Sequence, residues 1–217
     1  MQDALIIQQP AAAGDGPREL ILLFHGVGAS AQDLAPLGSI LAQRRPLAMV
    51  ISVQAPSATE SGRGWQWFSV MGITEANRPQ RVAEAMPLFV DTVSQWQRQA
   101  GADPRSTTLI GFSQGAIMVL ESTQQAPALA GRVVAIAGRF ALAPRRAPLG
   151  TQVHLMHGDQ DRVMPMELAR NAATGLRALG ASVTLDEFPG LGHGVDSRVA
   201  IRIGSCLESP VGSPPSV

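Results

Sequence analysis

Residues 111–115 read Gly-Phe-Ser-Gln-Gly, a spacing that suits an activated nucleophile. A β-like run, residues 106–110, precedes this pentapeptide, and an apolar helical run, residues 116–120, follows it. At a sharp strand-to-helix turn the serine hydroxyl is exposed, and glycines beside it avoid collision with the adjoining strand and helix. The free N–H groups at the start of the helix favour negative charge nearby. The pattern predicts Ser113 as the nucleophile of a serine hydrolase.

An activated serine needs a base, and the base needs an acid that orients it. His193 lies in a glycine-rich loop, residues 189–194, after the last predicted strand, and we expect it to be the base. Two aspartates compete for the role of the acid in the loop that follows the predicted strand at residues 153–156. Spacing favours Asp161 only modestly, because Asp159 is nearer the strand end, where an aspartate can also shape the turn.

Backbone N–H groups are expected to stabilise the oxyanion of a tetrahedral intermediate. One expected donor is Gln114, which directly follows the nucleophile. The other is Val27, in the glycine-containing loop after the predicted strand at residues 20–24. We interpret the remaining histidines as structural: His25, His154 and His157.

The segments that would position these side chains alternate between strand-like and helix-like patterns. Strands are predicted at residues 4–8, 20–24, 48–53, 107–110, 133–136, 153–156 and 182–188. Helices are predicted at residues 31–43, 80–100, 116–120, 166–179 and 195–207. This alternation predicts an α/β fold: a mostly parallel, doubly wound sheet with helices on both faces. In such a sheet, functional residues gather in loops at the carboxyl ends of the strands.

The 217 residues are enough for one domain with a sizeable buried core. We expect that domain to span residues 1–207, because no boundary of a large cap domain is visible. The tail, residues 208–217, is rich in Pro, Ser and Gly and is expected to be disordered.

Composition excludes several classes of chemistry and of partner. The formal net charge is +0, so neither nucleic acid nor an anionic membrane surface is an expected partner. Lysine and tyrosine are absent, which excludes Schiff-base chemistry and a tyrosine nucleophile. The one cysteine, Cys206, is expected to be a buried filler of the last helix. No secretory leader or membrane-spanning run is evident, so we expect a cytoplasmic protein without stable membrane insertion.

Together these motifs resemble the phospholipase/carboxylesterase family of α/β-hydrolases, which includes small bacterial serine esterases and acyl-protein thioesterases. The resemblance spans roughly residues 5 to 207. It rests on Phe-His-Gly-Val-Gly at 24–28, the 111–116 segment, His157-Gly158-x-x-Asp161-x-Val163-x-Pro165, Gly192-His193 and Trp67-Phe68. The order Ser113, Asp161, His193 is also that of α/β-hydrolases. The resemblance implies Asp161 as the acid, Val27 and Gln114 as the oxyanion donors, and an open, shallow site.

The expected activity is hydrolysis of small-molecule carboxylic esters, with a short- to medium-chain acyl group, through an acyl-enzyme. No metal or cofactor is expected. A thioesterase or lysophospholipase would use the same machinery, and a non-catalytic binding protein on a hydrolase fold is an alternative from another class. Trp67 and Phe68 are candidates to line the substrate groove, with core packing as the alternative interpretation. A homodimer is left open.

Overall fold

A seven-stranded sheet forms the centre of the protein in a computed structural model that describes residues 3–10 and 19–208. Its strand order is β1-β3-β2-β6-β7-β8-β9, and every neighbouring pair is parallel except β1 with β3. The strands are β1 Ala4–Gln8, β2 Leu20–Phe24, β3 Met49–Val53, β6 Thr107–Phe112, β7 Arg132–Ile136, β8 Gln152–Gly158 and β9 Val183–Phe188. The two remaining strands, β4 Ser57–Ala58 and β5 Trp65–Gln66, form a small separate hairpin.

Helices cover both faces of this sheet and divide the core into two layers. One layer packs against α2 Arg78–Ala100, α3 Gln114–Ser122 and α4 Met166–Ala178. The other packs against α1 Ala35–Arg44 and α5 Ser197–Glu208. Strand β2 has a continuously apolar sequence because both of its faces are buried. Leu22 and Phe24 face the first layer, Ile21 and Leu23 face the second, and all are fully buried.

The predicted doubly wound sheet is therefore confirmed. The repeating apolar positions of α2 form its buried face, and Gly101, at φ 64°, ends the helix in the left-handed conformation. The predicted helix at residues 31–43 is in fact a short 3-10 helix, Ala31–Leu34, followed by α1. Pro36 accounts for this break, since it lacks the N–H of a helix interior and suits the first turn of α1.

The last helix begins two residues later than the predicted start at residue 195, and it extends to Glu208. Residues 209–217, which make up nearly all of the expected tail, lie outside the described residues. In the parts of the chain that are described, no helix combines the length and the apolar character needed to cross a membrane. The single-domain boundary at residue 207 stays a prediction.

His154 is buried in β8, where its Nδ1 lies 2.8 Å from the Thr184 hydroxyl. Burial, together with the nearby positive charges of Arg132 and Arg202, lowers the pKa of His154 from 6.5 to about 4. Between about pH 4 and pH 6.5, the unfolded chain therefore binds a proton at His154 that the folded protein excludes. The stability linked to this residue is complete above pH 6.5 and is lost as the pH falls toward 4.

We expect the free energy of unfolding to fall by about 2 kcal/mol through His154 between pH 7 and pH 5. His154→Asn keeps a hydrogen-bonding group near the Nδ1 position but does not titrate. Urea unfolding of both proteins at the two pH values measures the difference. An equal pH dependence in the variant and the natural protein would contradict this role for His154.

Candidate active site

Ser113 occupies a strained turn between β6 and α3. Its backbone angles are φ 54° and ψ −114°, outside the regions that L-residues normally adopt. The Ser113 N–H donates to the Ile136 carbonyl at 3.0 Å, which ties the turn to β7. A Cβ on Gly111 would lie 2.4 Å from the Gly115 oxygen, and one on Gly115 would lie 2.1 Å from the Phe24 oxygen. Both flanking glycines are therefore required by close backbone approach.

The structure brings Ser113, His193 and Asp161 together in one chain of hydrogen bonds. His193 Nε2 lies 2.9 Å from Ser113 Oγ, and His193 Nδ1 lies 2.7 Å from Asp161 Oδ2. The three residues come from the ends of different strands: Ser113 follows β6, Asp161 follows β8 and His193 follows β9. Because these strands are parallel, their carboxyl ends meet at the same edge of the sheet.

The Asp161 carboxylate determines which nitrogen of the His193 ring carries the hydrogen. Burial by itself raises the pKa of Asp161, but hydrogen bonds from His193 and from the Met164 and Val163 amides outweigh it and leave the pKa below its ordinary value. An ionised carboxylate can only accept, so Nδ1 of the neutral His193 ring carries the hydrogen. Nε2 is then free to accept from the Ser113 hydroxyl, which is the orientation a general base needs.

The two candidate aspartates have different surroundings. Asp161 Oδ1 accepts hydrogen bonds from the Val163 and Met164 amides, both at 2.8 Å, so the carboxylate is held from both sides. Asp159 instead accepts a hydrogen bond from the Gly190 amide at 2.7 Å, in the turn that precedes His193.

His157 is a neighbour of the site that the sequence did not identify as such. Its Nε2 lies 2.7 Å from the Met164 carbonyl and 3.3 Å from Asp161 Oδ2, and its side chain is almost fully buried. These contacts hold in place the loop after β8, which carries Asp161. The sequence signal for this contact was the four-residue spacing between His157 and Asp161. That spacing places two residues on a common face in a helix, whereas these two lie at the end of a strand and in the loop after it.

The two expected oxyanion donors have free amides. Among the described residues, no hydrogen bond acceptor engages the backbone N–H of Val27 or of Gln114. Gln114 is the first residue of α3, where the N–H groups have no partner within the helix. Val27 follows Gly26, at which a Cβ would stand 3.1 Å from the Cβ of Ser113. Gln114 thus follows Ser113 in the chain, and Val27 follows a glycine that packs against the Ser113 side chain.

His25 holds the loop that carries Val27. Its Nε2 accepts from the Ala55 amide at 3.0 Å, so in the neutral ring Nδ1 carries the hydrogen and donates to the Gly26 carbonyl at 2.7 Å. Burial lowers the pKa of His25 and favours this neutral form. The structure thus agrees with the interpretation of His25 as a structural residue.

Trp67 and Phe68 lie beneath this loop, and both side chains are buried. The Trp67 indole N–H donates to the His25 carbonyl at 2.8 Å, and the ring packs edge-on against Phe24. The Gln114 side chain accepts from the Trp67 amide and donates to the Phe68 carbonyl, at 2.8 and 2.7 Å. These contacts brace the oxyanion donors, whereas direct contact of Trp67 and Phe68 with substrate stays a prediction.

The described residues contain no group of three or more His, Cys, Asp and Glu side chains arranged to hold a metal ion. Cys206 is buried in α5, where its sulfur lies 3.5 Å from His154 Nδ1, and burial raises the pKa of its thiol. Its partner His154 lies in the first half of β8, and Cys206 packs in the core layer under α5, in keeping with its expected packing role.

Several known proteins that resemble this chain are named esterases or thioesterases. Residues 6–208 match the phospholipase/carboxylesterase family model. Esterase YpfH of Escherichia coli is 45% identical over 90% of this chain and 83% of its own length. Acyl-protein thioesterase 1 of Kluyveromyces lactis is 28% identical over 75% of this chain and 78% of its own length.

Two solved structures extend the comparison. The crystal structure of esterase PE8 superposes with a TM-score of 0.83 at 26% identity, covering 95% of this chain and 96% of that one. The Bacillus cereus carboxylesterase, at 18% identity and a TM-score of 0.78, shares the fold over 95% of this chain and 93% of its own. With a family match over residues 6–208 and an esterase 45% identical along most of its length, this chain belongs to the phospholipase/carboxylesterase family of α/β-hydrolases.

Proposed function

We propose that this carboxylesterase-type hydrolase cleaves small-molecule carboxylic esters through a Ser113–His193–Asp161 triad and a covalent acyl-enzyme. The observation that supports the proposal most strongly is the hydrogen-bond chain from Ser113 Oγ through His193 to Asp161, at 2.9 and 2.7 Å. The strained backbone of Ser113 and the two free amides expected beside it add to this argument.

In the first half of the reaction, Ser113 Oγ attacks the ester carbonyl carbon while His193 Nε2 takes the hydroxyl proton. The carbonyl oxygen becomes an oxyanion, which the N–H groups of Val27 and Gln114 stabilise. Each such donor contributes about 2.7–4 kcal/mol to lowering the barrier. When the tetrahedral intermediate collapses, the ester C–O bond breaks and His193 returns the proton to the departing alcohol.

In the second half, a water molecule replaces the alcohol. His193 takes a proton from the water as its oxygen attacks the acyl carbon, and the bond to Ser113 Oγ then breaks. The same proton returns to Ser113, and the carboxylic acid is released. Asp161 keeps its charge throughout and stabilises the imidazolium that forms in each half.

Acyl-thioester hydrolysis is the second candidate function, because a thiolate can leave through the same steps. The Kluyveromyces lactis relative named acyl-protein thioesterase 1 favours it, but at 28% identity, against 45% for the relative named esterase. The larger identity is the reason to place esters first.

A panel of butyryl compounds tests this assignment. We expect p-nitrophenyl butyrate to give a burst of p-nitrophenol followed by steady turnover, because p-nitrophenolate leaves readily and deacylation is then the slower step. An oxygen ester and a thioester with matched uncharged leaving groups should both be cleaved, with the larger kcat/KM for the ester relative to the spontaneous rate. The absence of turnover with every ester and thioester would contradict the proposed function, and a clear preference for thioesters would favour the second candidate.

A further inference from the structure

An apolar cavity of about 600 Å³ opens beside the triad, and the mechanism above does not use it. It lies between α1, the residues just before α5 and the end of β6. Its apolar walls come from one group of side chains: Leu34, Pro36, Leu37, Ile40, Phe112 and Ala200. Its volume falls within the range of small-molecule sites, which is about 300–1,000 Å³.

His193 is one of the residues that line the cavity. The His193 ring lines the cavity together with Gly26 and Phe112, and the Phe112 and His193 ring centroids are 5.0 Å apart. Trp67 and Phe68, the residues expected from the sequence to contact substrate, do not line it. The cavity thus borders the general acid of the reaction and lies apart from the aromatic segment that braces the oxyanion donors.

The transfer of a proton from His193 to the leaving oxygen determines which part of the ester lies next to the cavity. The leaving oxygen must come within about 2.6–3.2 Å of His193 Nε2 to receive its proton. The oxyanion points elsewhere, toward the amides of Val27 and Gln114. The chain attached to the leaving oxygen therefore begins next to the His193 ring, where the cavity opens.

We propose that this cavity binds the alcohol portion of the ester, and that the preferred alcohol is an uncharged alkyl or aryl group large enough to fill it. The inference rests on the proposed ester hydrolysis and adds the part of the substrate to which the enzyme is selective.

The charged residues at the edge of the cavity determine which charge on the alcohol portion is disfavoured. Asp33 and Asp196 line the cavity, and no arginine is among its described lining residues. Asp33 accepts hydrogen bonds from the Ser30 amide and hydroxyl at 2.8 and 2.6 Å, and Asp196 is paired with Arg198 at 2.7 Å. The Asp33 carboxylate is left as an exposed negative charge, which repels phosphorylated or carboxylated leaving groups.

Alkyl butyrates from methyl to hexyl test the proposal, because all of them form the same butyryl-enzyme. We expect kcat/KM to rise by up to about fourfold for each methylene added to the alcohol, until the cavity is filled. A carboxylate at the end of the hexyl chain should cancel that gain. A matched series of methyl esters with lengthening acyl chains measures the acyl side separately.

Ile40→Trp provides the matching change in the protein. Ile40 is 39% exposed on α1, so a larger ring can extend into the cavity without disturbing the core. We expect the ratio of kcat/KM for the hexyl and methyl esters to fall about tenfold or more. The steady rate of turnover after the burst with p-nitrophenyl butyrate, which reports deacylation, should not change, because the alcohol has left before that step. Ile201→Trp, on the exposed side of α5, is the control and should leave both quantities unchanged.

The outcomes separate this inference from the proposed function. A burst with p-nitrophenyl butyrate but no dependence on alcohol length would overturn the inference alone. So would an Ile40→Trp variant in which only the dependence on acyl length is lost, since the cavity would then hold the acyl group. A protein that cleaves no ester at all would overturn both.

Discussion

Replacing Ser113 by Ala is expected to lower kcat for ester hydrolysis by about a millionfold. The Ser113 hydroxyl is the atom that becomes acylated, and His193 cannot compensate because its Nε2 is positioned to take a proton from that oxygen at 2.9 Å. His193→Ala should cause a loss of similar size. The double variant should be hardly worse than either single one, because residues that act as a unit are not additive.

Active-site labelling is a direct measurement of the same prediction. A fluorophosphonate probe should label the natural protein at Ser113 and leave Ser113→Ala unlabelled. Ser205→Ala serves as the control, because Ser205 is an exposed serine of α5 that hydrogen-bonds only the backbone of its own helix in the described structure. Labelling retained in Ser113→Ala would assign the nucleophile to another residue.

Asp161→Asn should lower kcat by about 10⁴-fold while leaving the fold intact. The asparagine carbonyl can still accept from the Val163 and Met164 amides, which contact Oδ1 in the natural protein. The amide nitrogen then faces His193 Nδ1 and favours the tautomer that carries its hydrogen on Nε2. In that tautomer His193 cannot accept the Ser113 proton.

Asp159→Asn is the matched control for this substitution. Asp159 accepts one hydrogen bond from the Gly190 amide, and an asparagine oxygen can accept the same bond. We therefore expect kcat to stay within about tenfold of the natural value, as is typical of a surface change away from a buried network. Steady-state kinetics with one ester and thermal unfolding of all three proteins provide the comparison. The reverse ranking would move the acid role to Asp159.

The fold was largely predictable because its patterns are local. Continuous apolar runs identify buried parallel strands, and the spacing of buried positions in α2 identifies an amphipathic helix. The break between the 3-10 helix and α1 and the small β4–β5 hairpin were not predicted. The hairpin is held by partners from elsewhere in the chain: Trp65 exchanges backbone hydrogen bonds with Gly28 and Ala29, which the local sequence does not reveal.

The candidate site also combines features that the local sequence predicts with contacts between residues that are distant in the chain. From the sequence, Trp67 was a candidate either to line a substrate groove or to pack in the core. Its hydrogen bond to the His25 carbonyl joins residues 42 positions apart, and its burial depends on packing against Phe24. The support that His157 supplies beneath Asp161 likewise depends on how the loop after β8 folds back.

By itself, the sequence determined the strand-to-helix turn that carries Ser113, the expected nucleophile. The crowding at Gly111 and Gly115 is a local requirement of that turn and is visible in the residue types. It also predicted which strands along the chain precede the functional loops. Spacing within the loop hardly separated the two aspartates, and the family resemblance favoured Asp161. The tertiary structure adds the physical difference, since the Asp159 carboxylate contacts the Gly190 amide and the Asp161 carboxylate contacts His193. The cavity beside His193 also belongs to the tertiary structure, because a volume enclosed by α1, β6 and α5 exists only after distant segments pack together.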